Sequence, residues 1–410
     1  MKKLLLVLLI LSLFINHLNA NEKDLNIIQK DKKEYRLLEK ESIQTRQQSQ
    51  KYDWISPIDL SGNIGRNHSF SDENSRNLNN KNTKSASIGF TQSIFESGGI
   101  GFKMDYADNR FKYEMLSWEN QNSQLIYTIY NTLLDIKKLK LEINQNDYRI
   151  VNKDIELIIK KIQYEAGKTD IIELNNAIMS KNLILKEEIA LKNSLKEKEQ
   201  ELAKYTDLKY DEIEILDFQE TNKDIFLDKN YSILEADAKV EMLNSEYKIK
   251  KSQYLPKLSL SAKASYSNQD EKFNSMINDT NKDDATSSGS LILSMPLYDY
   301  TKSSKIQESK IEVLKQKALV NDLKNETAFE YEQIFTKIDT YLKQNETINK
   351  NIKLYEELIG ANQISSEAGM TSKYDLEILE NTKTINEFDI LINKINILQQ
   401  YAKLYFKIKN

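Results

Sequence analysis

Four stretches of the chain alternate apolar and polar residues with a period of two. In the first, Ile58, Leu60, Gly62 and Ile64 alternate with Asp59, Ser61, Asn63 and Gly65; in the second, Ala86, Ile88 and Phe90 alternate with Ser87, Gly89 and Thr91. The third sets Leu258, Leu260, Ala262, Ala264 and Tyr266 against Ser259, Ser261, Lys263, Ser265 and Ser267, and the fourth sets Leu291, Leu293 and Met295 against Ser290, Ile292 and Ser294. This period predicts strands with one apolar face. The polar partners are mostly small and hydrophilic, so that face is expected to meet water. Polar loops, Ser71 to Lys84 and Asn268 to about Thr286, join the strands into two hairpins.

After each hairpin the period lengthens to that of a helix. Phe102 to Tyr164 reads as one helix of about 60 residues, on the order of 90 Å long. Ile129, Ile136, Ile143, Ile150, Leu157 and Tyr164 recur every seven residues, and Leu134, Leu141, Tyr148, Ile155 and Ile162 form a second such series. Positions two apart on a helix differ by about 200°, so the two seams lie on nearly opposite sides. A two-stranded coiled coil accounts for one seam per helix; a helix with a neighbour on each flank, as in a wall or tube, accounts for two. The second long helix runs from about Lys302 to Glu367, with Ile334, Tyr341, Ile348 and Tyr355 in heptad register. A returning helix carries Ile378, Ile385 and Ile392.

Each long helix stops at a similar phrase. Tyr164-Glu165-Ala166-Gly167-Lys168-Thr169-Asp170 returns 202 residues later as Ser366-Glu367-Ala368-Gly369-Met370-Thr371-Ser372. A Gly that takes the left-handed conformation ends one helix, and a Thr or Asp just beyond caps the next, so the phrase predicts a tight reversal. Pro57 and Pro256, 199 residues apart, open the two hairpins in matching places. The order of elements around both tips is the same, which reads as an internal duplication. The expected organisation is a signal segment (1–20), a first repeat (21–206) with its strand hairpin at about 56–95 and tip at 166–170, a linker (207–229), and a second repeat (230–410) with its strand hairpin at about 256–297 and tip at 368–372. The linker is acidic and weakly periodic, and no structure is assigned to it.

Composition narrows the function. Lys2 and Lys3, the apolar run Leu4 to Ile15 and Leu18-Asn19-Ala20 have the layout of a cleaved secretory signal. The absence of cysteine excludes disulfides, thiolate metal ligands and a Cys nucleophile. Of two histidines, His17 lies in the signal and His68 stands alone among polar residues, so neither metal nor catalytic chemistry is expected. A net charge of −4, or −6 without Lys2 and Lys3, gives no basic surface for nucleic acid. No cofactor is expected. No segment past the signal has 18 continuous apolar residues, which excludes a helical span but not a β-barrel, whose strands alternate over only about ten residues.

Trp54, Phe95, Tyr254 and Tyr298 fall at the helix-proximal ends of the strands, where an interfacial aromatic girdle would lie, and the long connections lie at the opposite ends. Soluble hairpins remain the competing reading. Four strands cannot close a barrel, and open edges in lipid leave backbone groups unpaired at several kcal/mol each. A barrel must therefore be shared between chains.

Tyr254-Leu255-Pro256-Lys257-Leu258-Ser259-Leu260 after a helix, Met295-Pro296-Leu297-Tyr298, Gln92-Ser93-Ile94-Phe95 with Gly98-Gly99, and the two Ala-Gly-x-Thr tips together resemble the TolC family of outer-membrane channel proteins, over essentially the whole chain after the signal. The resemblance implies a mainly α fold with a β-barrel contribution. Long antiparallel helical hairpins form a periplasmic α-barrel, and four strands per chain complete a trimeric twelve-stranded outer-membrane β-barrel. It implies a homotrimer in outer-membrane lipid whose tips dock on a periplasmic adaptor and, through it, an inner-membrane pump of RND or ABC type. Ala166, Gly167, Lys168, Thr169, Ala368, Gly369, Met370 and Thr371 would then be adaptor-contact residues; helix capping alone explains the same residues. Members of the family carry aspartates beyond the second tip as an acidic ring at the entrance. Asp375 falls at the first of these places, with Glu377 close by, while Ile378 occupies the second and Thr371 stands where an arginine of the closing network would be.

The function expected is passive export by the outer-membrane channel of a tripartite efflux or type I secretion system, with no enzymatic step. The alternative is a secreted or periplasmic coiled-coil scaffold or adhesin without channel activity, which the heptads alone would also suit.

Overall fold

The computed structural model describes residues 24–69, 79–214, 216, 218, 220–270, 282–367 and 372–409. The expected signal segment and the second tip, Ala368 to Thr371, lie outside them. The order of elements is α1 (Lys30–Tyr52), β1 (Asp59–Ser69), β2 (Asn79–Phe95), α2 (Gly99–Glu165), α3 (Ile171–Leu202), α4 (Lys223–Asp228), α5 (Tyr231–Ser252), β3 (Lys257–Asp270), β4 (Lys282–Ser294), α6 (Lys302–Glu367) and α7 (Lys373–Lys407). Among the described residues the chain is mainly helical with one four-stranded sheet, as the alternation and the heptads predict. It divides into two compact units, Glu41–Met115 with Glu235–Val320, and Leu116–Leu234 with Asn321–Asn410 and the segment up to Lys40.

In the first unit the strands pair antiparallel in the order β1-β2-β3-β4, leaving β1 and β4 at the edges. Register puts Leu60, Ile88 and Ala264 in one row and Gly62, Ala86, Tyr266 and Ala285 in the next. The apolar residues of the four stretches therefore share a face, and it is bare: Leu60 is 80% and Leu293 73% exposed. The strands are longer than expected. Asn79 to Lys84 and Lys282 to Thr286, read as loop, continue the ladders. Backbone pairing needs no apolar side chain, so their polarity hid them. The helices beside the sheet are neighbours in matching order. Arg46 reaches Glu114 at 2.9 Å and Lys51 reaches Asp108 at 3.1 Å between α1 and α2. Asn109 donates to Ser245 at 3.0 Å between α2 and α5, and Gln316 to the Ala236 carbonyl at 3.4 Å between α6 and α5.

In the second unit α2 has a helix on each flank, as its two seams predict. On one side α3 is held by Lys181 to Asp154 at 2.5 Å and by Lys160 to Glu173 at 3.0 Å. On the other side Gln145 donates to Asp389 of α7 at 2.7 Å, and Asn152 to Thr382 at 3.3 Å. α7 in turn meets α6 through Asn393 to Asn345 at 2.9 Å and Lys383 to Glu356 at 3.0 Å. The order is α3-α2-α7-α6. Ile129, Leu134 and Ile136 are fully buried, but Tyr148, Ile162 and Tyr164 of the same series come to the surface. Toward the tip Asn146, Arg149 and Asn152 add polar contacts, while Ile155 of the series stays buried.

The linker forms an aromatic plug in this unit. Phe218 lies within 6 Å of the Tyr130, Tyr405 and Phe406 rings, and Phe226 packs with Ile334, Ile338, Leu404 and Ile408. Beside it Glu330 holds Lys403 and Lys407 at 2.8 and 2.5 Å. Burial raises the Glu330 carboxyl, but the hydrogen bonds and charges of the two lysines outweigh it and hold the pKa below its ordinary value.

Candidate functional site

Two features of the chain leave bare surface: the first helical tip and the sheet. At the tip the Gly167 backbone is left-handed, with φ of 66°. The Lys168 amide reaches back to the Gln163 carbonyl at 2.8 Å and the Gly167 amide to Tyr164 at 2.9 Å. This pair of bonds is a Schellman ending, which satisfies carbonyls that the last turn leaves orphaned. Asp170, not Thr169, caps α3, its carboxylate accepting from the Glu173 amide at 2.9 Å. The equivalent cap on α7 is Ser372, accepting from the Tyr374 amide at 3.1 Å. Ala166, Gly167 and Lys168 are exposed and Thr169 is half-buried. The other four expected contact residues, Ala368, Gly369, Met370 and Thr371, lie outside the described residues.

Ile171 and Ile172, the first residues of α3, are both exposed. In the sequence they look like the start of an apolar helical face; what singles them out is that no described residue covers that face. Asp375 and Glu377 are exposed on the first turns of α7, where the carboxylate of Asp375 also suits the positive end of the helix dipole. Ile378 is half-buried. Among the described residues no group of His, Cys, Asp and Glu has the arrangement of a metal site.

The tip yields a direct expectation. A side chain at Gly167 would meet no neighbour, so its cost is purely conformational, roughly 1–2 kcal/mol for an L-residue held left-handed. Gly167→Ala is expected to speed amide exchange over residues 163–173 by about fivefold or more. Unchanged protection there would show that the left-handed turn is not what fixes the reversal.

On the sheet, the expected girdle is only partly formed. Phe95 and Tyr298 are exposed, but Tyr254 is 7% exposed, with the Lys302 ammonium 5.4 Å from its ring centre. Tyr254 thus packs inside the unit, where a cation over its face and Asp299 near its hydroxyl occupy it. Leu297, at 91% exposed, and Tyr300 take its place as bare apolar surface at that end of β4. No helix among the described residues is long and apolar enough to cross a membrane.

An unclosed antiparallel sheet with a bare apolar face, joined to helical hairpins of more than 60 residues, is the fold of TolC-like outer-membrane channels. The comparisons agree. Residues 224–403 match the family described as Outer membrane efflux protein. Among solved structures, the CmeC outer membrane channel of Campylobacter jejuni aligns with a TM-score of 0.70 at 12% identity, over 92% of this chain and 84% of that one. VceC, an outer membrane protein of Vibrio cholerae, aligns at 0.69 and 13%, over 93% and 94%. The open state of the Neisseria gonorrhoeae MtrE outer membrane channel aligns at 0.66 and 11%, over 91% and 85%. No curated protein sequence matches the chain. At these identities the likeness is one of fold.

Proposed function

We propose that this chain is the outer-membrane channel of a tripartite efflux or type I secretion system: a passive homotrimeric duct, twelve strands in all, working with a periplasmic adaptor and an inner-membrane pump. The observation that carries this reading is the sheet. Its face of Leu60, Ile88, Tyr266, Leu291 and Leu293 is left to solvent, and β1 and β4 end it as unpaired edges. In lipid the face is satisfied and the edges are not, at several kcal/mol for each orphaned backbone group, so a second and third copy must complete the ladder. Residues 224–403 support the efflux assignment.

In the same reading Ala166 to Thr169, with Ile171 and Ile172 beside them, contact the adaptor, as do Ala368 to Thr371 in the second repeat. Asp375 and Glu377 face the pore entrance. The remaining helix flanks suit a neighbouring copy: Leu183 and Ile189 of α3, and Phe329 and Leu354 of α6, are exposed.

Recording from purified protein in a planar bilayer tests the channel. Discrete conductance steps are expected, together with a band on gels that shifts from trimer to monomer on heating. Material that stays monomeric, needs no detergent and carries no current would instead fit a coiled-coil scaffold.

A further inference from the structure

The sheet's second face is lined by hydroxyls that satisfy one another across the strands. Ser61 and Ser87 are 2.8 Å apart, Ser265 and Thr286 2.7 Å, Thr91 and Ser261 3.1 Å, and Ser93 and Ser259 3.3 Å. Such a wall offers polarity without charge. Within it, one row in register reads Asp59, Gly89, Lys263, Ser288. Asp59 and Lys263 are both exposed. The residue between them is a glycine whose missing Cβ would lie 3.0 Å from the Ala262 carbonyl oxygen and 3.4 Å from the Lys263 Cβ, so no side chain separates the two charges. They border a groove of about 430 Å³ with Ser61, Ser87, Thr91 and Ser261. The same face also carries Asp284, two rows nearer the strand tips, and Lys257 at the helix end beside Glu96.

We infer that Asp59 and Lys263 form one charge-compensated ring in the barrel lumen, each cancelling the bias that the other would give to passing ions. The inference rests on the trimeric channel proposed above: three carboxylates and three ammoniums then share a single level of the wall. Two strand spacings separate the members of a pair, roughly 10 Å, about a Debye length at 0.1 M salt. At that distance each charge acts on a passing ion individually, while the ring as a whole carries no net charge. A narrow water column in low-dielectric surroundings concentrates the field of whichever charge is left unbalanced, and lumen substitutions in such barrels tune selectivity.

Reversal potentials in a KCl gradient test this on the full-length protein, with Asp59→Asn, Lys263→Gln and the double variant. Both residues are exposed and outside the hydroxyl pairs, so assembly is expected to survive. Asp59→Asn should move the potassium-to-chloride permeability ratio toward anions and Lys263→Gln toward cations, each by about twofold or more at 0.1 M, shrinking at 1 M as the screening length falls to about 3 Å. The double variant should return close to the unmodified ratio. Single variants that conduct normally with unchanged ratios, or that shift the same way, would overturn the inference and leave the channel standing. If the unmodified protein carries no current, the channel reading fails first and this inference with it.

Discussion

Ile88→Arg is expected to abolish insertion into the outer membrane, while Ser87→Arg, one residue away, leaves it intact. Ile88 lies in the row with Leu60 and Ala264, midway along the apolar face, and is exposed. An arginine on the lipid face of a barrel near the bilayer midplane costs about 2–4 kcal/mol per chain, and in the proposed trimer three copies incur it together. Ser87 points to the opposite face, against Ser61, where water solvates a guanidinium. Fractionation of outer membranes, with unheated gels to display the assembled form, reads both variants. Equal assembly of the two would mean that the parity of the strand does not decide which face meets lipid, and the membrane reading would lose its main support.

The second large effect is expected at Phe226. Its side chain is fully buried among Ile334, Ile338, Leu404 and Ile408, with the Tyr331 ring centre 5.6 Å away. Phe226→Ala removes that ring of α4 from a site walled by two helices, α6 and α7, and by Ile408 just beyond α7. Truncation at such a position costs about 3–5 kcal/mol, because the walls collapse only in part. Phe226→Leu keeps most of the volume and should cost under about 1.5 kcal/mol. Limited proteolysis is the direct measurement. Phe226→Ala should open cleavage within 207–229 and near the C-terminus under conditions where the unmodified protein and the Leu variant resist. Resistance equal to that of the unmodified protein would show that the linker is anchored elsewhere, at Phe218.

The linker also shows where sequence alone stops. Strands announce themselves through a period of two and the long helices through heptads, because in both cases a repeated geometry buries a repeated set of positions. Phe218 and Phe226 belong to no period. Each is buried by residues more than 80 positions away, and a lone aromatic in an acidic segment does not announce this. The same holds for the interfaces that α7 makes with α2 and with α6. Gln145, Asn152 and Asn393 are largely buried and partnered, yet in the sequence they look like solvent-facing breaks in an apolar seam. At the tip, Gly167 was legible because left-handed backbone almost demands glycine. Which neighbour caps the next helix was not, since Thr169 and Asp170 are both good caps and only backbone geometry chooses. Tyr254 was misplaced for a related reason: aromatic residues at strand ends suit lipid, but Lys302 offers the ring a partner of its own.

Two backbone fastenings lie at the ends of the linker. The Gln29 amide bonds the Tyr205 carbonyl at 2.8 Å, and the Lys409 amide bonds the Lys229 carbonyl at 2.8 Å, with Asn230 and Ile408 bridged beside it. Each half of the polypeptide thus fastens its own start to its own finish. A cut anywhere between Thr206 and Asn222 would therefore leave both fastenings whole, each inside a single fragment.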